Sequence, residues 1–178
     1  MRRLLAALAA VFALAIPFGA EAQPNTDLSA NRAALERLAG LVGVWEGVAQ
    51  ISGPHPMVVH QREEVRRGLD GTILIVHGRG YATPERTGSL VFEAFAVLSY
   101  AAHSQTYEFR TYAFGHATTA TAEFLPDGSF RWSTPPGPVQ SRYTIWLTPT
   151  TWREIGELSR DGGATWTQNI ELSLRRIE

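Results

Sequence analysis

The chain has 178 residues, 44% of them hydrophobic and 19% charged, with a formal net charge of −1 at pH 7. That balance supplies no electrostatic footprint for nucleic acid or an anionic membrane as partner. All 16 basic side chains are Arg and there is no Cys, which excludes Lys-based Schiff-base chemistry, thiol nucleophiles, thiolate metal sites and disulfides.

The first 22 residues carry the marks of an export signal. Arg2 and Arg3 supply a positive start, Leu4 to Phe18 form an apolar run broken by Pro17, and Ala20-Glu21-Ala22 is a small-x-small cleavage site. The apolar run is shorter than the ~20 residues a spanning helix needs. The expectation is therefore a cleaved signal peptide over residues 1–22, followed by one domain over residues 23–178 in a periplasmic or secreted protein. No later run is long enough to span a bilayer as a helix.

Asp27 or Ser29 can cap a short helix carrying Leu28, Leu35 and Leu38. Gly40 suits the left-handed residue that follows a helix end. With so little apolar surface this helix is expected to lie across the rest of the fold as a lid. From Val44 the hydrophobic period changes to two. Predicted strands run from Val44 to Ile51, His55 to Leu69, Thr72 to Tyr81, Ser89 to Tyr100 and Tyr107 to Gly115. They continue from Thr118 to Leu125, Ser129 to Thr134, Val139 to Leu147, Trp152 to Leu158 and Thr165 to Arg176. Asp70-Gly71 and Pro126-Asp127-Gly128 are turn signals, and Pro135-Pro136-Gly137-Pro138 cannot donate to a ladder. Roughly ten strands joined by short turns, with no crossover helices, predict sequential antiparallel pairing. Closure would remove the exposed edges, so the predicted fold is all-β: an up-and-down barrel with a short N-terminal helix. A two-sheet sandwich is the alternative.

At Gly43-x-Trp45 the chain resembles the calycin group of lipocalins, fatty-acid-binding proteins and nitrobindin-like barrels. In that group Gly-x-Trp opens the first strand, and the Trp stacks on an Arg near the end of the last. The counterpart here is Arg175 or Arg176, and strand parity favours Arg176, in phase with Leu174, Leu172, Ile170 and Trp166. Gly43, Trp45 and Arg176 are thus the expected closure of the barrel, a cation–π contact worth ~0.5–2 kcal/mol. More closely, the chain is similar to secreted bacterial calycin-like proteins that have no assigned chemistry. The likeness spans Leu38 to Ile177 and rests on Gln61-x-Glu63, Leu69-Asp70-Gly71-Thr72, Tyr107-x-Phe109-Arg110, Arg142-Tyr143-Thr144 and Trp152-x-Glu154. It ends in Gly156-Glu157-x-Ser159-x-Asp161-Gly162-Gly163-x-Thr165-Trp166. A nitrobindin-like haem barrel would need an axial His on a late strand, and the late strands carry none. The resemblance implies no cofactor.

Ser159 to Trp166 also matches an Asp-box, S-x-D-x-G-x-T-W. A sialidase-type propeller needs at least four blades of four strands, so one box in ten strands reads as a structured hairpin turn. The five His residues (His55, His60, His77, His103 and His116) lack metal-ligand spacing, and no metal is expected.

The candidate ligand-binding residues are polar side chains in phase with apolar ones. Gln61 and Glu63 alternate with Met57, Val59 and Val65; Arg110 is in phase with Tyr112 and Phe114, Arg142 with Trp146, and Glu154 with Trp152. Facing inward, these rows would let Arg110 or Arg142 pair a carboxylate while aromatics line its apolar part. The expected function is interior binding of a small, partly apolar, possibly anionic molecule, hydrophobic or amphipathic. Two alternatives stand beside it: Glu63 and Glu154 as an acid–base pair, or a solid structural or interaction barrel whose ion pairs leave no vacancy. A one-residue slip at any bulge would turn these side chains to solvent.

Overall fold

The computed structural model describes residues 27–178, so the expected signal peptide at 1–22 lies outside the described residues. Helix α1 (Ser29–Glu36) is followed by a 3-10 turn over Ala39–Leu41. Ten strands follow: β1 (Gly43–Ile51), β2 (Met57–Gly68), β3 (Ile73–Tyr81), β4 (Leu90–Ala101), β5 (Thr106–Ala113), β6 (His116–Phe124), β7 (Phe130–Ser133), β8 (Gln140–Leu147), β9 (Thr151–Ser159) and β10 (Thr167–Arg176). Each pairs antiparallel with its neighbours in sequence, and β1 pairs with β10. The sheet is a closed up-and-down barrel, not a sandwich.

Because the strands alternate in direction, the turns fall into two sets. Those after β1, β3, β5, β7 and β9 surround one mouth of the barrel. The remaining turns share the other end with α1. At that end Leu35, Leu38 and Leu41 are at most 2% exposed and pack into the main core with Trp45, Leu74, Leu98, Phe130 and Trp152. The helix buries only Leu35, as its small apolar surface predicted, and the segment that follows it adds Leu38 and Leu41 to make a plug at this end. The Tyr107 hydroxyl donates to Ala34 O at 3.0 Å, Asn31 Nδ2 to Tyr100 O at 2.5 Å, and Arg67 pairs with Glu36 at 2.7 Å. Gly40 sits inside the 3-10 turn without a left-handed φ. Its expected role falls to Gly43, at φ 140°, where a Cβ would stand 2.3 Å from Arg176 Nη1 and 2.5 Å from Glu178 O.

Trp45 lies opposite Arg176 on β10 and Glu63 on β2. The Arg176 guanidinium sits 4.1 Å from the Trp45 ring centroid and donates to the carbonyls of Val42 at 2.5 Å and Gly40 at 2.6 Å. Trp45 Nε1 donates to Leu41 O at 2.8 Å, so one indole ties the plug to the seam of the barrel.

Across β1 to β3 the outer wall is charged. Glu46, Arg62, Glu64 and Arg79 form a ladder across β1 to β3, with Arg62 bonded to both carboxylates. Side-chain bonds to Arg62 hold the Glu64 carboxyl below its usual range. Among the described residues no helix is long and apolar enough to cross a membrane.

Candidate binding site in the barrel interior

Register decides which face of each strand looks inward. On β2 the inner row is Val59, Gln61, Glu63 and Val65, all buried. On β9 it is Trp152, Glu154 and Gly156, with Glu154 opposite Ile145 on β8 and Leu172 on β10. Gln61, Glu63, Trp152 and Glu154 therefore share the interior.

The other half of the candidate set lies outside. On β5 the inward row is Tyr107, Phe109 and Thr111, which leaves Arg110 exposed and Tyr112 42% exposed on the outer wall. Tyr112 joins His77, Phe95, Phe114 and His116 around a shallow outer depression. On β8 the inward row is Tyr143 and Ile145, so Arg142 and Trp146 face out. Arg142 makes a two-bond pair with Glu157, at 2.6 and 3.0 Å, and stacks on Trp166 at 4.1 Å. Trp146 instead packs against Arg153 at 5.3 Å. The expected inner Arg pair is overturned because both faces of β5 and β8 carry aromatics, so alternation alone does not choose between them. Trp166 was also placed inward by parity. A bulge between Gln168 and Ile170 shifts the phase and turns it out.

Sequence reasoning missed the inner aromatic wall. Phe109, Trp132 and Tyr143 face the interior from β5, β7 and β8. Trp132 stacks on Tyr143 at 4.0 Å with 9° between planes, and Phe109 lies 4.8 Å from Trp132 at 31°. All three remain half-buried rather than sealed in the core. The available signal was their shared parity with Tyr107, Phe130 and Ile145.

The wall leads to the carboxyls. Trp132 Nε1 donates to Glu154 Oε1 at 3.3 Å, and Trp152 Nε1 donates to Glu154 Oε2 at 3.1 Å. Gln61 Nε2 donates to Glu63 Oε1 at 2.7 Å. The Glu63 carboxyl lies over Gly78, where a Cβ would come within 2.6 Å of Oε1 and 2.8 Å of Oε2, so only glycine leaves it room. Burial, opposed by the Gln61 bond and reinforced by the Glu154 charge, pushes Glu63 up to about 8. Burial likewise raises Glu154 to about 7, against the two indole donors. The Tyr143 hydroxyl is raised too, first by burial and then by the Glu154 charge. At neutral pH the interior thus offers a protonated carboxyl, a second near its midpoint and a cluster of stacked aromatic rings.

Among the described residues no group of three or more His, Asp or Glu side chains could hold a metal ion. The Asp-box hairpin is internally satisfied. Asp161 accepts from Thr165 Oγ1 at 2.6 Å and from Ser159 Oγ at 2.8 Å, and these partners hold its carboxyl down at about 2.

No family model matches the chain, and no curated protein does. Solved structures do. Rv2717c from M. tuberculosis superposes with a TM-score of 0.60 at 13% identity, over 82% of this chain and 98% of that one. The S-type phycobiliprotein lyase CPES from Guillardia theta superposes with a TM-score of 0.57, also at 13% identity, over 87% and 98%. The likeness is one of fold. It supports a calycin-like barrel, in agreement with the ten-strand closure described above.

Proposed function

We propose that the protein is an exported binding barrel that takes a small, partly apolar, flat molecule in its interior. The observation that carries this reading is the Phe109–Trp132–Tyr143 wall, inward-facing and yet only half-buried. Ligand pockets pair apolar and aromatic surface with a few placed polar groups, and the Gln61–Glu63 and Glu154 groups stand beside this wall. An anionic guest loses its motive, because Arg110 and Arg142 lie on the outer wall.

Nile red, a neutral planar dye, tests the reading. Wild type should bind it one to one with enhanced emission. Thr111→Trp, which adds bulk at an inward position opposite Ala96, should weaken binding roughly tenfold or more. No enhancement in the wild type, together with a native mass showing no co-purified molecule, would leave a solid structural barrel as the answer. Export has its own check: protein recovered from the periplasmic fraction should begin at Gln23.

A second reading follows from the raised carboxyls. A neutral Glu63 and a Glu154 near its midpoint form a donor and an acceptor for proton transfer to a bound molecule. A guest converted by wild type but recovered unchanged from Glu63→Gln and Glu154→Gln would favour catalysis. One released unchanged by wild type would favour binding alone.

A further inference from the structure

Among the described residues the interior holds two acids and no cationic partner for them. Glu63 and Glu154 are each only 7% exposed, yet the inward rows between the two ends of the barrel carry no cation among the described residues. The cations in phase with these rows stand at the ends and are engaged or exposed. Arg67 pairs with Glu36, Arg176 covers Trp45 and bonds backbone carbonyls, and His116 is exposed at the rim. Every charged pair involving Glu46, Arg62, Glu64, Arg79, Arg142 or Glu157 lies on the outer face. Buried carboxylates ordinarily meet a cation or a full set of donors. Among the described residues the Gln61 amide, on Oε1, is the one side-chain donor to the Glu63 carboxyl. Glu154 has one long indole bond on each oxygen.

We propose that the ligand carries a protonated or strongly N–H-donating nitrogen that seats on Glu63 and Glu154 while its ring lies along Trp132 and Tyr143. This rests on the interior-binding reading above and names the class of molecule. An aromatic amine or amidinium satisfies both halves of the site. Its N–H groups give the two acids the donor partner that the inner rows lack, and its ring packs against the aromatic cluster. Anions are disfavoured by Glu154, which is partly ionised near neutral pH. The groups facing the pair are Gln61, Trp45 and Gly78 around Glu63, and Trp132, Trp152, Tyr143, Ile145 and Leu172 around Glu154. Tyr143 is the only other titratable group among these, and Arg176 lies beyond the Trp45 ring. Because burial favours the neutral acids in the empty barrel, seating a cation must expel a proton.

Three acridines of one shape provide the test: 9-aminoacridine as cation, acridine as neutral ring and acridine-9-carboxylate as anion, titrated into the full chain at pH 7.5. The cation should bind roughly tenfold or more tighter than the neutral ring, as a charge-assisted hydrogen bond allows, and the anion more weakly than either. In Glu63→Gln, Glu154→Gln double-variant protein the cation-to-neutral ratio should fall towards one. Glu63→Gln alone should lower it if the double variant melts too early to titrate. Calorimetry in two buffers of different ionisation enthalpy should show proton release with the cation and none with the neutral ring. Equal affinity for cation and neutral ring, or tightest binding of the anion, overturns the charge assignment and leaves interior binding standing. Failure of all three to bind removes the interior-binding reading, and this inference with it.

Discussion

Trp45 and Glu63 face each other across one pair of strands and do opposite work for stability. Trp45 is fully buried, meets Trp152 edge-on at 5.9 Å, carries the Arg176 cation and anchors the plug through Leu41. Truncating a buried Trp costs ~3–5 kcal/mol, so Trp45→Ala should shift the urea midpoint by that equivalent. Equal midpoints would refute its structural role. Glu63 is a buried acid held neutral. Its folded pKa, about 8, lies above its ordinary 4.5, so the native state keeps a proton that the unfolded chain has lost between those values. The linked stability is present below about pH 4.5 and is lost as pH rises through about 8. Glu63→Gln removes this loss. Its stability relative to wild type should rise between pH 5 and pH 8, on the order of a few kcal/mol. A difference that stays constant between the two pH values, measured by urea unfolding, would contradict the burial account.

At the scale of elements, turns and bulges decided what alternation could not. The β2–β3 connection places Leu69 at φ 46° and Asp70 at φ 55°, before Gly71 at φ 81°. Leu69 is 73% exposed there, so it takes the left-handed cost without packing in return. Asn adopts that conformation more readily, and Leu69→Asn should stabilise by about 1 kcal/mol. A lower thermal midpoint for the variant would show that Leu69 serves another purpose. Elsewhere the bulge at Asn169 separates Ile170, which faces inward, from Trp166, which stacks outside on Arg142. A parity count across that residue had to fail, because a bulge is one extra residue with no mark of its own in hydrophobic pattern. Helix α1 gains its place from the segment that follows it. The helix itself contributes only Leu35 to the core, but at the end of a barrel Leu35, Leu38 and Leu41 together need only fill one opening.

For the molecule as a whole, closure joins the two ends of the described chain. Seven residue pairs link β1 to β10, from Trp45↔Arg176 to Ile51↔Ile170. Ending the chain before Thr167 would expose two unpaired strand edges and remove Leu172 and Leu174 from the core. That truncated protein should lose cooperative unfolding and self-associate. A monomer with the wild-type midpoint would mean that closure contributes little. The strand count, the sequential antiparallel order and the closure were legible from sequence, because period-two alternation punctuated by Gly, Pro and Asp is a local signal and short turns leave few topologies. The burial of Gln61, Glu63 and Glu154 also followed the alternation, since each strand there has one plainly apolar face. Sequence alone could not turn Arg110, Tyr112, Arg142 and Trp146 outward, nor gather Phe109, Trp132 and Tyr143 into one wall. Strands with aromatics on both faces are assigned a side only by the register of their neighbours, and register is a property of the closed sheet rather than of any one strand.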